Sequence, residues 1–132
     1  MKITLNDTEI FASTGGREFD PSGKTLMFIH GSGQSHLGFM LQHRFFANRG
    51  WQCVTPDMPG HGLSSGKAFK TVEEMADWYA SFMQAVGIKK SSIIGHSMGG
   101  LIALELASRY SDLVSKAVFI STALAISVNE IG

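Results

Sequence analysis

Residues 95–99 read Gly95-His96-Ser97-Met98-Gly99, a glycine-x-serine-x-glycine run between the apolar pair Ile93-Ile94 and a helical pattern over residues 101–110. A serine set between a strand and a helix has to occupy the apex of a tight turn. Glycines two before and two after it leave room for neighbouring backbone. The strained turn then holds the hydroxyl out of the sheet, beside the N–H groups of a helix N-terminus. On these five residues alone, a serine in an ordinary glycine-rich loop fits as well.

Two further motifs narrow the choice. Residues 24–29 (KTLMFI) have the apolar run of a buried strand and lead into His30-Gly31-Ser32-Gly33. A glycine-rich turn after a central strand directs backbone N–H groups into the crevice, as an oxyanion hole requires. Residues 51–55 form a second strand pattern, followed by Asp57-Met58-Pro59-Gly60-His61-Gly62-Leu63-Ser64. Three loops leaving the carboxyl ends of parallel strands converge on one site.

Together these residues resemble the α/β-hydrolase superfamily, in its esterase, lipase and C–C hydrolase-like branch. The resemblance follows the family's order over essentially the whole chain: two N-terminal strands, HGSG, DMPGHGLS, GHSMGG and one more strand. It implies an α/β fold with a mostly parallel sheet flanked by helices, cut off after about six strands. It also implies that Ser97 is the nucleophile and that the Met98 N–H is one oxyanion donor. The N–H of Ser32 is the other, with Gly33 as the alternative, and Gly31, Gly33 and His96 line the substrate site.

The chain departs from the family after the nucleophile. Relatives carry the triad acid and histidine there, on loops after later strands. Here no histidine follows Ser97, and the acidic residues that do are Glu105, Asp112 and Glu130. The first two fall on the helix expected after the elbow. A serine without a base is a weak nucleophile, so the machinery that would activate Ser97 is missing from the pattern. With 132 residues, the chain reads as the N-terminal half of a hydrolase domain, the lid and the acid- and histidine-bearing half being absent.

Charge and cysteine usage exclude other classes. Eleven basic and eleven acidic residues cancel, leaving no electrostatic footprint for nucleic acid or an anionic membrane. No apolar run is long enough for a membrane span or a signal sequence, which points to a cytoplasmic protein. The single cysteine, Cys53, sits mid-strand beside Val54, where an inert buried thiol is expected. No HExxH or Cys/His spacing marks a metal site, and no cofactor is implied. Residues 31–36 place His36 where a dinucleotide fingerprint needs its third glycine. Residues 62–68 are one residue short of a P-loop and end in Ala68 where Ser or Thr belongs.

The rest of the chain alternates strands and helices, the pattern of βαβ units. Residues 3–5 and 8–12 pair around Asn6-Asp7, and residues 14–23 form a loop. Leu37, Met40, Leu41 and Phe45 recur at helical spacing before Gly50. Thr71-Val72-Glu73-Glu74 is a capping box. Beyond it Val72, Met75, Tyr79, Phe82 and Val86 form one stripe, with Glu73, Asp77, Ser81 and Gln84 opposite. The helix after the elbow is apolar around most of its circumference and should be largely buried, with Glu105 and Arg109 as a surface pair. Residues 116–120 form the last strand.

Of the five histidines, His30 and His96 belong to motif turns and His43 to the first helix. His36 and His61 are the best surrogates for a missing base. Two functions remain open: a serine hydrolase acting on an ester-like small molecule with base and acid supplied from elsewhere, or a non-catalytic assembly or binding module on the same scaffold. The unpaired edge of the last strand, residues 116–121, implies a homodimer or oligomer.

Overall fold

The computed structural model describes residues 1–120. Their six strands, β1 (Lys2–Leu5), β2 (Thr8–Ser13), β3 (Thr25–Ile29), β4 (Gln52–Pro56), β5 (Ser91–His96) and β6 (Val114–Ile120), form one sheet in the order β1-β2-β4-β3-β5-β6. β1 and β2 make an antiparallel hairpin, joined by Asn6 and Asp7 at φ 52° and 61°. Positive φ at both turn residues matches the right-handed twist of the strands. β2 meets β4 antiparallel, and β4, β3, β5 and β6 run parallel. The mostly parallel α/β architecture agrees with the sequence.

Three helices connect the parallel strands: α1 (Met40–Ala47), α2 (Val72–Ala85) and α3 (Met98–Arg109). Strand side chains alternate between the faces. Met27, Ile29, Val54 and Ile93 pack with α2 and α3, while Leu26, Phe28, Cys53 and Ile94 pack beneath α1. Every residue of β3 is buried, as expected of a central strand covered on both sides. Burial pushes the Cys53 thiol up to about 11, consistent with an inert role.

The expected stripe of α2 is present, with Met75, Tyr79 and Phe82 buried and Val72 and Val86 packed at its margins. Its cap differs in one bond. Thr71 Oγ1 accepts from the Glu74 N–H at 3.1 Å, and the Thr71 hydroxyl itself donates to Glu74 Oε1 at 3.0 Å.

Five expectations are corrected. A 3₁₀ turn, His36–Phe39, precedes α1 and shifts its phase, so Phe39, His43 and Ala47 face the sheet. Leu37, Met40, Leu41 and Phe45 are instead exposed, Leu41 at 78%. Arg109 does not pair with Glu105; it reaches Asp77 of α2 at 2.7 Å, where the Tyr110 hydroxyl also donates at 2.5 Å. α3 buries Ile102, Ala103 and Leu106 but leaves Leu104 exposed, and Asp112 lies in a second 3₁₀ turn, Ser111–Leu113, ahead of β6. The sixth strand begins at Val114, two residues before the expected start, and Ser121 and Glu130 lie outside the described residues.

Candidate active site

From the neighbouring strands β3 and β5 the chain leaves to opposite sides, into α1 and α3, so a crevice opens beyond their carboxyl ends. The His30–Gly33 turn and the residue 95–99 turn flank it. Ser97 stands between β5 and α3 with φ 60° and ψ −128°, a conformation that L residues adopt only where the surroundings enforce it. Two close backbone approaches do so. A Cβ on Gly95 would run into the Gly99 carbonyl, and a Cβ on Gly99 into the carbonyl of Ile29 on β3. The Ser97 N–H donates to the Ile120 carbonyl at 3.2 Å, which anchors the turn to the end of β6. The Ser97 hydroxyl makes no hydrogen bond to another described residue.

The HGSG turn is held against this elbow from below. Buried His30 accepts the Met58 N–H on Nε2 at 3.0 Å, so its Nδ1–H donates to the Gly31 carbonyl at 2.7 Å. Burial lowers the His30 pKa and keeps this single neutral tautomer. Gly31 lies so near α3 that an added Cβ would stand 3.3 Å from the Met98 nitrogen. Met98, first residue of α3, has an N–H without an intrahelical acceptor. The N–H groups of Ser32 and Gly33 donate to no described residue either. Met98, Ser32 and Gly33 therefore leave unengaged donors on the two turns that border the crevice.

No histidine bonds the Ser97 hydroxyl among the described residues. His30 has both nitrogens engaged. His61 donates from Nδ1 to the Pro59 carbonyl at 3.0 Å, and its ring packs at 5.1 Å from that of His30. His43 is buried under α1, 3.1 Å from the Thr55 hydroxyl. His96 is exposed and meets Phe39 edge-on at 6.4 Å.

His36 forms a pair that its sequence position does not reveal. Asp57 is wholly buried and accepts the His36 N–H at 2.7 Å, the His36 Nδ1–H at 2.8 Å and the Leu63 N–H at 3.0 Å. Gly62 makes room for this carboxylate, since any Cβ there would overlap Asp57. Among the described residues no group of three or more His, Cys, Asp and Glu side chains is placed to hold a metal ion. None of their helices is long and apolar enough to cross a membrane.

Comparison with known proteins agrees with this fold. Residues 24–131 match the family described as the alpha/beta hydrolase fold. The chain belongs to that family. A dihydrolipoyllysine-residue acetyltransferase component of the acetoin cleaving system from Cupriavidus necator is 37% identical over 98 residues, covering 74% of this chain and 25% of the relative. Protein ABHD8 of Homo sapiens is 36% identical over 99 residues, covering 73% and 23%. A crystal structure of a bacterial membrane phospholipase A superposes with a TM-score of 0.81 at 30% identity, covering 90% of this chain and 38% of the other. This α/β-hydrolase chain thus spans about a quarter of the length of the curated relatives it matches.

Proposed function

We propose that this chain is the elbow-bearing, N-terminal half of a serine hydrolase domain that cleaves an ester or related acyl substrate. The observation that carries the reading is Ser97 at φ 60°, ψ −128°, with a free hydroxyl beside the unengaged N–H groups of Met98 and the HGSG turn. In this mechanism Ser97 Oγ attacks the substrate carbonyl and its proton passes to a base. The oxyanion is stabilised by the Met98 N–H and by that of Ser32, with Gly33 as the alternative second donor. Collapse expels the alcohol and leaves an acyl-serine, which water hydrolyses to acid and free Ser97. Gly31, Gly33 and His96 border the substrate. The base and its acid come from outside the described residues.

Turnover of a short-chain p-nitrophenyl ester by the chain and by Ser97→Ala tests this. The expected rate is well below that of a complete triad, since Ser97 has to attack without a base. Ser97→Ala abolishes it. A rate unchanged in Ser97→Ala contradicts the assignment, and an ordinary esterase rate from a strictly monomeric sample contradicts the missing base. The lack of any described partner on the Ser97 hydroxyl also favours a second reading, a non-catalytic binding or assembly module; it predicts no Ser97-dependent turnover at all.

Self-association belongs to the same proposal. The outer edge of β6 has no partner strand among the described residues, and Val118, Phe119 and Ile120 are 47%, 40% and 44% exposed. Edges of this kind recruit another chain, and a two-fold homodimer is the simplest closed solution. A cytoplasmic location accords with the lone, buried Cys53.

A further inference from the structure

A cavity of about 600 Å³ lies away from Ser97, between the loop after β2 and the outer side of α1. From the loop it is lined by Ser13, Gly15, Gly16 and Arg17, and from the helical side chiefly by His36, Leu37, Met40, His43 and Arg44; no acidic residue lines it among the described residues. That volume falls within the range of small-molecule sites. Its charge is one-sided in a chain whose total charge is zero.

The two arginines differ in mobility. Arg17 is fixed, donating to the Ala47 carbonyl at 3.1 Å and to the Asn48 side chain, so it ties the loop to the end of α1. Arg44 is exposed, and its guanidinium bonds no described residue. His36 gives its Nδ1–H to buried Asp57, and its Nε2 has no described partner. His43 is 5% exposed, with Nε2 unpartnered close to Gly15. Burial is the main cause that lowers the His43 pKa; Arg17 and His36 add to it, and the Thr14 backbone opposes it. With two arginines and no acidic residue among the described residues of its lining, the cavity suits an anion, and a guanidinium matches a carboxylate in shape and donor spacing. Leu37 and Met40, 62% and 56% exposed, supply an apolar wall beside the cations.

We propose that this cavity binds a small amphiphilic carboxylate, its head group held by Arg17 and Arg44 and its alkyl portion lying on Leu37 and Met40. The site is separate from Ser97, so its occupancy is independent of the hydrolase reading.

Hexanoate titrated into isotopically labelled protein and followed by NMR tests it. The account predicts saturable shifts of the Gly15, Gly16 and His36 resonances, with hexanoate binding more tightly than acetate. Arg44→Glu, an exposed position whose side chain supports no described contact, should weaken hexanoate at least tenfold. Met40→Ser should erase the advantage over acetate. Hexanol should give no saturable shift, and inorganic phosphate should bind more weakly than hexanoate. No saturable shift at these residues, an equal response to hexanol, tighter phosphate binding, or unchanged affinity in Arg44→Glu would each overturn the proposal.

Discussion

The elbow and the sixth strand end within one hydrogen bond of each other and are built on opposite terms. At the elbow, three stretches of backbone meet so closely that Gly95, Gly99 and Gly31 have no space for a methyl group without a shift of their neighbours. Along β6, side chains on both faces of the strand are exposed, and only the β5 side is paired among the described residues. The Ser97 backbone geometry thus comes from local crowding by β3 and α3. On the proposed reading, the base for Ser97 approaches across a surface that the described residues leave open.

The sharpest way to break this contrast is to put one methyl group in each kind of place. Gly99→Ala drives a Cβ into the Ile29 carbonyl, a rigid backbone atom, and should cost about 4 kcal/mol or prevent folding. Gly38→Ala meets nothing within 4 Å and should be neutral or slightly stabilising. Urea midpoints for the two variants check the pair; similar losses in both would refute the crowding argument. Next in size is Asp57→Ala, which strips three donors of their buried acceptor and should cost about 3 kcal/mol. A midpoint within error of the unsubstituted chain would remove Asp57 from the account.

The crowded crevice was the more legible region in the sequence. Spacing of Gly95, Ser97 and Gly99 encodes backbone proximity directly, because only glycine permits it, so the elbow was readable from five residues and their flanks. The α1 face was not, since a 3₁₀ turn offsets the phase from which Leu37, Met40, Leu41 and Phe45 would have been placed inward. Arg109 has an acid four residues before it in Glu105, yet finds Asp77, because packing lays α2 along α3 and local spacing carries no trace of that. The His36–Asp57 pair joins residues 21 positions apart and exists only once β4 lies beside β3.

Acid should loosen both the crevice and the packing under α1. His30 and His43 are both held below their ordinary value of 6.5, chiefly by burial. In the window between that unfolded value and the lower folded one, the unfolded chain binds more protons, so stability falls as pH drops through 6.5. Each pKa unit of depression is worth about 1.4 kcal/mol. Urea midpoints at pH 7.5 and 5.0 measure it, and an equal or higher midpoint at pH 5.0 would contradict neutral burial of these rings. The smallest effect is expected on the open edge: Val118→Lys together with Ile120→Lys should change stability by under about 1 kcal/mol while shifting light-scattering mass toward monomer. Large unfolding by this double variant would mean that the edge is not open.

The central claim, that crowding alone preorganises Ser97, is met most directly by mass-spectrometric mapping of the chain after exposure to an alkyl fluorophosphonate. Without a base the serine is a weak nucleophile, so an aimed hydroxyl and oxyanion donors alone give only slow phosphonylation. The account predicts slow formation of a single adduct on the peptide containing Ser97, lost in Ser97→Ala and absent from urea-unfolded chain. An adduct on other serines, or an unmodified Ser97 in folded protein after prolonged exposure, would contradict it.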